Sequence, residues 1–159
     1  MSLESVRAFL AAHASDIAII DQAASTATVR EAAQVLGVEP AQIAKTLSIR
    51  VGEQAMLVVA CGDARLDNRK IKTALGKRPR MLDGAEAEVL TGHPVGGVCP
   101  FGLATPLPIW CDVSLRRFDH VYPAAGARTA SVRITPDRLA TLVGAAWADL
   151  CSTPDALDL

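Results

Sequence analysis

Apolar positions recur along the chain at two periods, and the change of period marks the elements. Leu3, Val6, Phe9 and Leu10 fall at helical spacing behind Ser2, a candidate N-cap, and predict a short amphipathic helix at the start of the chain. In "TVREAAQVLG" Thr28 and Glu31 stand at capping-box positions, Ala32, Val35 and Leu36 form the apolar stripe, and Gly37 stops the helix. Pro40 opens a turn, "PAQIAK", which delivers Lys45 to the start of a strand. "KTLSIRV" and "AMLVVAC", joined at "GEQ", read as a β-hairpin. "DNRKIKTALG" is a helix between Asp67 and Gly76, and "DGAEAEVLTG" is a second with Asp83 and Glu86 as its capping box. Strand-like runs resume at "LPIWCDV", "FDHVYP" and "ASVRI". Thr135 and Pro136 then start a helix, "PDRLATLVGAAWADL", whose Leu139, Leu142, Val143, Ala146 and Trp147 share one face. The tail "STPDALDL" reads as frayed. Hairpins outnumber any strict strand–helix–strand alternation, so the class is α+β.

Composition narrows this. With 159 residues, half of them hydrophobic, the chain suits one domain, 1–159. The formal charge of −1 gives no global field for a nucleic acid, and DNA is not an expected partner. The four cysteines, Cys61, Cys99, Cys111 and Cys151, show no C-x-x-C pattern and read as reduced, buried thiols. The first residues carry Glu4 and Arg7 within an amphipathic pattern, and no apolar run approaches the ~20 residues of a membrane span. The expectation is a soluble, cytoplasmic protein with no membrane partner.

Four features bear on chemistry. "VGGVCPFG", residues 95–102, packs three glycines and a proline around Cys99. A nucleophilic Cys99 would need a histidine, His93 or His120, and an orienting carboxylate, Asp112 or Asp119; nothing in their spacing supports that arrangement. The loop can instead act through its backbone, aiming amides at an oxyanion, or it is an ordinary tight turn. Lys45, among apolar neighbours where a strand begins, offers a fixed charge to a phosphate or carboxylate, or is a snorkelling surface lysine. Residues 65–80, "RLDNRKIKTALGKRPR", hold seven basic residues against one acid, a density that suits phosphate contact or a solvated helix face.

Together these stretches resemble the YbaK/prolyl-tRNA synthetase-associated editing-domain family, the free-standing aminoacyl-tRNA deacylases. "TVREAAQVLGVEPAQIAKTLSIRV" is similar to the family's capped helix, turn and functional lysine, "VLTGHPVGGVCPFG" to its glycine loop, and "PAAGARTASVRITPDRLATLV" to its closing segment. The resemblance implies a mixed, barrel-like β-sheet flanked by helices, with a core at about 24–150. It implies hydrolysis of the ester of a misacylated tRNA, tRNA-Pro carrying alanine, cysteine or another small residue, by water attack assisted by the terminal ribose hydroxyl. Lys45 matches the lysine that holds the substrate end. Gly96, Gly97, Val98, Cys99, Pro100 and Gly102 match the substrate loop, with Cys99 as a pocket wall, and Gly126 matches the turn that closes the pocket. Thr28 matches a selectivity position, although its capping role already accounts for it. Arg65, Arg69, Lys70 and Lys72 are the candidate tRNA-backbone contacts. The implied partners are misacylated tRNA and, as a docking platform, prolyl-tRNA synthetase; no metal or organic cofactor is implied. Two rivals stand beside this: a module of the same fold that binds a tRNA end or nucleotide without hydrolysis, and a thiol hydrolase using Cys99.

Overall fold

A computed structural model describes residues 2–21 and 24–154. Its first elements are α1 (Ser2–His13), β1 (Ile20–Asp21), α2 (Val29–Leu36), β2 (Ile43–Val51) and β3 (Gln54–Cys61). Then follow β4 (Arg65–Leu66), α3 (Asn68–Leu75), β5 (Pro79–Met81), α4 (Gly84–Thr91) and β6 (Ile109–Asp112). The chain continues through β7 (Tyr122–Pro123), β8 (Ala130–Ser131), α5 (Pro136–Val143), β9 (Ala146–Ala148) and β10 (Cys151–Ser152). The predicted hairpin is the centre of the sheet. β2 and β3 pair antiparallel from Ala44↔Cys61 to Val51↔Gln54, turning through Gly52, whose φ of 62° suits glycine. β3 is buried along all but its first residue, as a strand covered on both faces must be.

β3 carries β6 in parallel, and β6 carries β9, so the sheet runs β5-β2-β3-β6-β9, with β7 also paired to β2. The class is α+β, but the sheet is open, which corrects the barrel expected from resemblance. Closure needs the two end strands to pair with each other; here, among the described residues, the three-residue β5 pairs with β2 and the three-residue β9 with β6, and not with one another. Two further pairs, β1 with β8 and β4 with β10, stand apart from this sheet. The main core includes Val6 and Leu10 of α1, so packing reaches beyond the span of 24–150 read as core. Among the described residues no helix is long and apolar enough to cross a membrane.

The helix ends follow local chemistry. Thr28, Asp67, Asp83 and Thr135 all cap N-termini through their side chains, and Gly37, Gly76, Gly92 and Gly144 end helices in the left-handed region. Asp83 accepts from the Glu86 amide at 2.7 Å, whereas the Glu86 carboxylate is engaged by Arg50 at 2.7 Å. Ser2 is the first residue of α1 rather than its cap, and its hydroxyl bonds to His93. The last helix is shorter than its apolar pattern predicts. Gly144, at φ 67°, terminates it, and Ala146–Ala148 extend to pair with Trp110–Asp112 along the free edge of β6. A helical period at Ala146 and Trp147 thus gave way to an edge needing a partner. Ser152, the first residue read as tail, pairs with Arg65, and Cys151 just before it pairs with Leu66; residues 155–159 of that tail lie outside the described residues.

One buried carboxylate ties these late elements down. Asp112 accepts from the amides of Leu150 at 2.7 Å, Cys151 at 2.9 Å and Ser114 at 2.9 Å. Removing it would orphan three buried donors. We expect Asp112→Ala to lose about 3 kcal/mol of stability in urea denaturation, with Asp112→Asn, which places an N–H against one of those donors, also destabilised.

Candidate functional site

The edge of β2 away from β3 is shared by two short strands. β7 pairs with Ile43 and Ala44, and β5 pairs with Ile49, Arg50 and Val51. Among the described residues, no strand pairs with Lys45–Ser48 on that edge. A cleft of about 250 Å³ opens there. Its walls are the approach to α2 (Thr26–Val29), residues 43–48 of β2, Leu82 and Ala87, the 95–98 turn, and Tyr122 with Ala124. Among the described residues no Asp, Glu or His lines it, and Lys45 is the one charged lining group.

Lys45 is held rather than free. Its ammonium donates to the carbonyl of Gly62 at 3.2 Å and to that of Ala64. Burial pushes its pKa below the ordinary lysine value, offset in part by the charge of Asp63, while nearby Arg65 adds to the depression. An ammonium has three donors, and these two carbonyls account for two of them.

The glycine turn is shaped by what it leans on. Gly96 has φ 90°, and a Cβ there would lie 2.8 Å from the Cβ of Ala27. A Cβ on Gly97 would sit 2.8 Å from the Ala127 backbone nitrogen. The Gly97 carbonyl accepts from Gly126, and its amide donates to Pro94. Gly102 and Gly126 abut α1, where side chains would meet the carbonyls of Ser5 and Ser2. Of the loop residues matched from sequence, Gly96 and Val98 line the cleft; Gly97, Cys99, Pro100, Gly102 and Gly126 do not, and they form the packing behind it. Thr28 also lines the cleft while accepting from the Glu31 amide at 3.1 Å.

Cys99 has the company of a nucleophile without the chemistry. Its Sγ lies 3.5 Å from Nε2 of His93, but that nitrogen is 2.7 Å from the Phe101 carbonyl. A carbonyl only accepts, so Nε2 carries the proton and Nδ1 accepts from the Ser2 hydroxyl. Burial lowers the His93 pKa, which favours this neutral form. Burial likewise pushes the Cys99 thiol up to about 12. The thiol is fully buried and the imidazole nitrogen beside it already carries a proton, so it belongs to the core and not to the cleft wall. Asp112 is committed to backbone amides, and the ring of His120 pairs with Arg133 at 3.2 Å on a different face.

The basic stretch divides. Arg65, Arg69 and Lys72 are exposed. Lys70 donates to Asp149 at 2.9 Å and to the Cys151 carbonyl at 2.8 Å, so its charge is used in joining α3 to the segment around β10. Sequence reasoning missed Thr26, Thr46 and Ser48 as lining residues and Arg128 as a clamp. Arg128 donates through Nε to the Val95 carbonyl at 3.0 Å, and its own carbonyl accepts from the Thr26 hydroxyl at 3.0 Å. The alternation of β2 put Thr46 and Ser48 on one face, but only tertiary pairing shows the strand edge beside them to be open.

The aminoacyl-tRNA editing domain family matches residues 23–142. The uncharacterized protein YwhH of Bacillus subtilis is 42% identical over 153 residues, covering 95% of this chain and 98% of that one. The proline–tRNA ligase of Desulfovibrio desulfuricans is 31% identical over 127 residues, and the match spans 77% of this chain but 21% of the ligase. Among solved structures, one described as a proposed trans-editing enzyme for prolyl-tRNA synthetase superposes with a TM-score of 0.87 at 36% identity, covering 95% of this chain and 97% of that chain. The hypothetical protein APE2540 gives 0.86 at 32% identity over 93% of this chain and 99% of that chain.

The buried thiols set a pH limit. Cys99, Cys111 and Cys151 are pushed from 9.0 to about 12, chiefly by burial, while in the unfolded chain they ionise near 9.0. Below pH 9 both states hold the protons. Between pH 9 and 12 the unfolded state binds fewer protons, so stability falls as pH rises. Denaturant midpoints measured from pH 7 to 11 should be flat with respect to these thiols up to about pH 9 and then decline, and a thiol reagent at pH 7.5 should leave Cys99 unmodified until the protein is unfolded.

Proposed function

The chain belongs to the aminoacyl-tRNA editing domain family, and on that premise we propose that it acts in trans to hydrolyse the ester of a misacylated tRNA. The substrate of this reading is tRNA-Pro carrying a small residue such as alanine or cysteine. A proline site cannot exclude residues of similar or smaller size by more than the ~1–3 kcal/mol that a methylene is worth, so a second, smaller site is needed to remove them.

The observation that carries this reading is the make-up of the cleft: one anchored cation, a glycine turn, and neither carboxylate nor imidazole on its walls. Water attacks the ester carbonyl carbon, the bond from that carbon to the ribose oxygen breaks, and the products are the free amino acid and the 3′-terminal hydroxyl. With no side-chain base at hand, the proton of the attacking water is accepted through the substrate's own vicinal ribose hydroxyl. Lys45 binds the tRNA end with its remaining donor. The Gly97 amide is engaged by Pro94, which leaves the amides of Gly96 and Val98, two of the turn residues on the cleft, to face the oxyanion. Thr28, at the start of α2, borders the amino-acid side. Gly97, Cys99, Pro100, Gly102 and Gly126 act by fixing the turn. Arg65, Arg69 and Lys72 contact the tRNA backbone, and prolyl-tRNA synthetase is a partner that would bring the substrate.

The test is hydrolysis of Ala-, Cys-, Ser- and Pro-tRNA-Pro by the protein and by Lys45→Ala. Release of a noncognate residue, lowered at least about 100-fold by the substitution, is expected. Retention of tRNA binding with no hydrolysis across the panel would replace the deacylase with a tRNA-end binding module. Cys99→Ala should keep the rate within about tenfold, whereas a thiol nucleophile would lose several orders of magnitude. Arg69→Glu with Lys72→Glu should raise KM and flatten its salt dependence, and unchanged kinetics would remove the backbone contact.

A further inference from the structure

Six consecutive residues of β2, Ile43–Ser48, line the cleft. Successive side chains of a strand point to opposite faces, so a cavity bordered by all six lies against the edge of the strand and not over one face. The hairpin register decides which main-chain groups that edge presents. Val51 and Gln54 close a two-residue turn and form a hydrogen-bonded pair. The N–H and C=O groups of Val51, Ile49, Leu47 and Lys45 therefore face β3, and those of Ser48, Thr46 and Ala44 face the other edge. Two bonds agree with this parity: the Leu82 amide reaches the Ser48 carbonyl from the far edge, and the Leu57 amide, opposite Ser48, turns away to Pro108. β7 pairs with β2 as far as Ala44, and β5 covers it from Ile49 onward. Thr46 falls between them, and among the described residues no bond is made to its N–H or C=O. Its side-chain hydroxyl is buried while the residue as a whole is half-buried, so its contact with the cleft is made by its other atoms.

We infer that the aminoacyl group docks on this edge as a one-residue strand, its α-ammonium donating to the Thr46 carbonyl and its ester carbonyl accepting from the Thr46 N–H. This rests on the deacylase reading and deepens it, adding a requirement for a free α-amino group. An aminoacyl ester carries a donor and an acceptor on either side of one α-carbon, as a strand residue does. Only an antiparallel residue exchanges both bonds with a single partner, so the orientation is set. It sends the ester and the nucleoside toward the Lys45 end of the interval and the ammonium toward Ser48. The charge of the ammonium strengthens its bond to the carbonyl. The ester oxygen keeps a second lone pair for the 95–98 turn. An N-acyl group would remove the charge and extend toward Ser48, whose carbonyl already accepts from Leu82.

The experiment uses three stable analogues, adenosine carrying L-alanine, N-acetyl-L-alanine or propionate in amide linkage at the 3′ position, titrated calorimetrically into the full chain. The alanyl amide should bind at least about tenfold more tightly than either of the others. Amide hydrogen exchange reads the main chain directly. In the free protein the Thr46 amide should exchange at least about tenfold faster than those of Lys45 and Leu47, which are bonded to β3, and saturation with the alanyl amide should slow Thr46 alone among the three. Equal affinities of the three analogues, no binding of the alanyl amide, or a Thr46 amide whose exchange is unmoved at saturation would overturn the inference. Hydrolysis separates it from the reading beneath it. Ala-tRNA-Pro and its N-acetylated form cleaved equally fast would leave the deacylase and remove the docking. No cleavage of any aminoacyl-tRNA would remove the deacylase, while the analogues and the Thr46 amide still decide the docking.

Discussion

Everything at the cleft depends on how the outer edge of β2 is shared. One edge of this nine-residue strand is filled by β3, which fixes its register and buries its flank. The other is divided between a two-residue parallel contact with β7 and a three-residue antiparallel contact with β5. The interval between them, Lys45–Ser48, is held by the hairpin yet has no strand beside it, the Ser48 carbonyl alone accepting from the Leu82 amide. Rigidity comes from the hairpin and openness from the shortness of β5 and β7, a combination a fully paired sheet or a loop would lack.

Around that interval the structure places supports rather than reactive groups. Lys45 is pinned by two carbonyls at the end of β3, and the 95–98 turn is pressed against Ala27, Ala127 and the clamp of Arg128. Behind the turn, α1 meets Gly102 and Gly126 and bonds through Ser2 to His93. The glycines are there because neighbouring backbone approaches to within what a Cβ would occupy. In the proposed reaction their effect is indirect, through the amides of Gly96 and Val98.

Much of the fold was legible because it is locally encoded. Thr28, Asp67, Asp83, Gly37 and Gly76 do what their side chains, or the lack of one, make them do, and the Gly52 turn announces the hairpin. The strand at Ala146–Ala148 was not legible, since Ala146 and Trp147 keep the helical period of α5 and only the free edge of β6 draws them into the sheet. In the site, Lys45 and Gly96 stood out by type and context. Thr46 did not, because a threonine in a strand is ordinary, and its place on the cleft wall is a property of the packed molecule. Cys99 misled in the opposite direction, being conspicuous in sequence and inert in the core.

In the proposed function the aminoacyl end of the substrate is held at the open interval of β2. Backbone amide shifts recorded while a non-hydrolysable aminoacyl-adenosine is added to the isotopically labelled protein locate that end. The perturbed amides should cluster at Thr26–Val29, Lys45–Ser48 and Gly96–Val98, with those of β9 and α5 unmoved. Perturbations centred instead on the face of His120, Arg133 and Arg138 would contradict it.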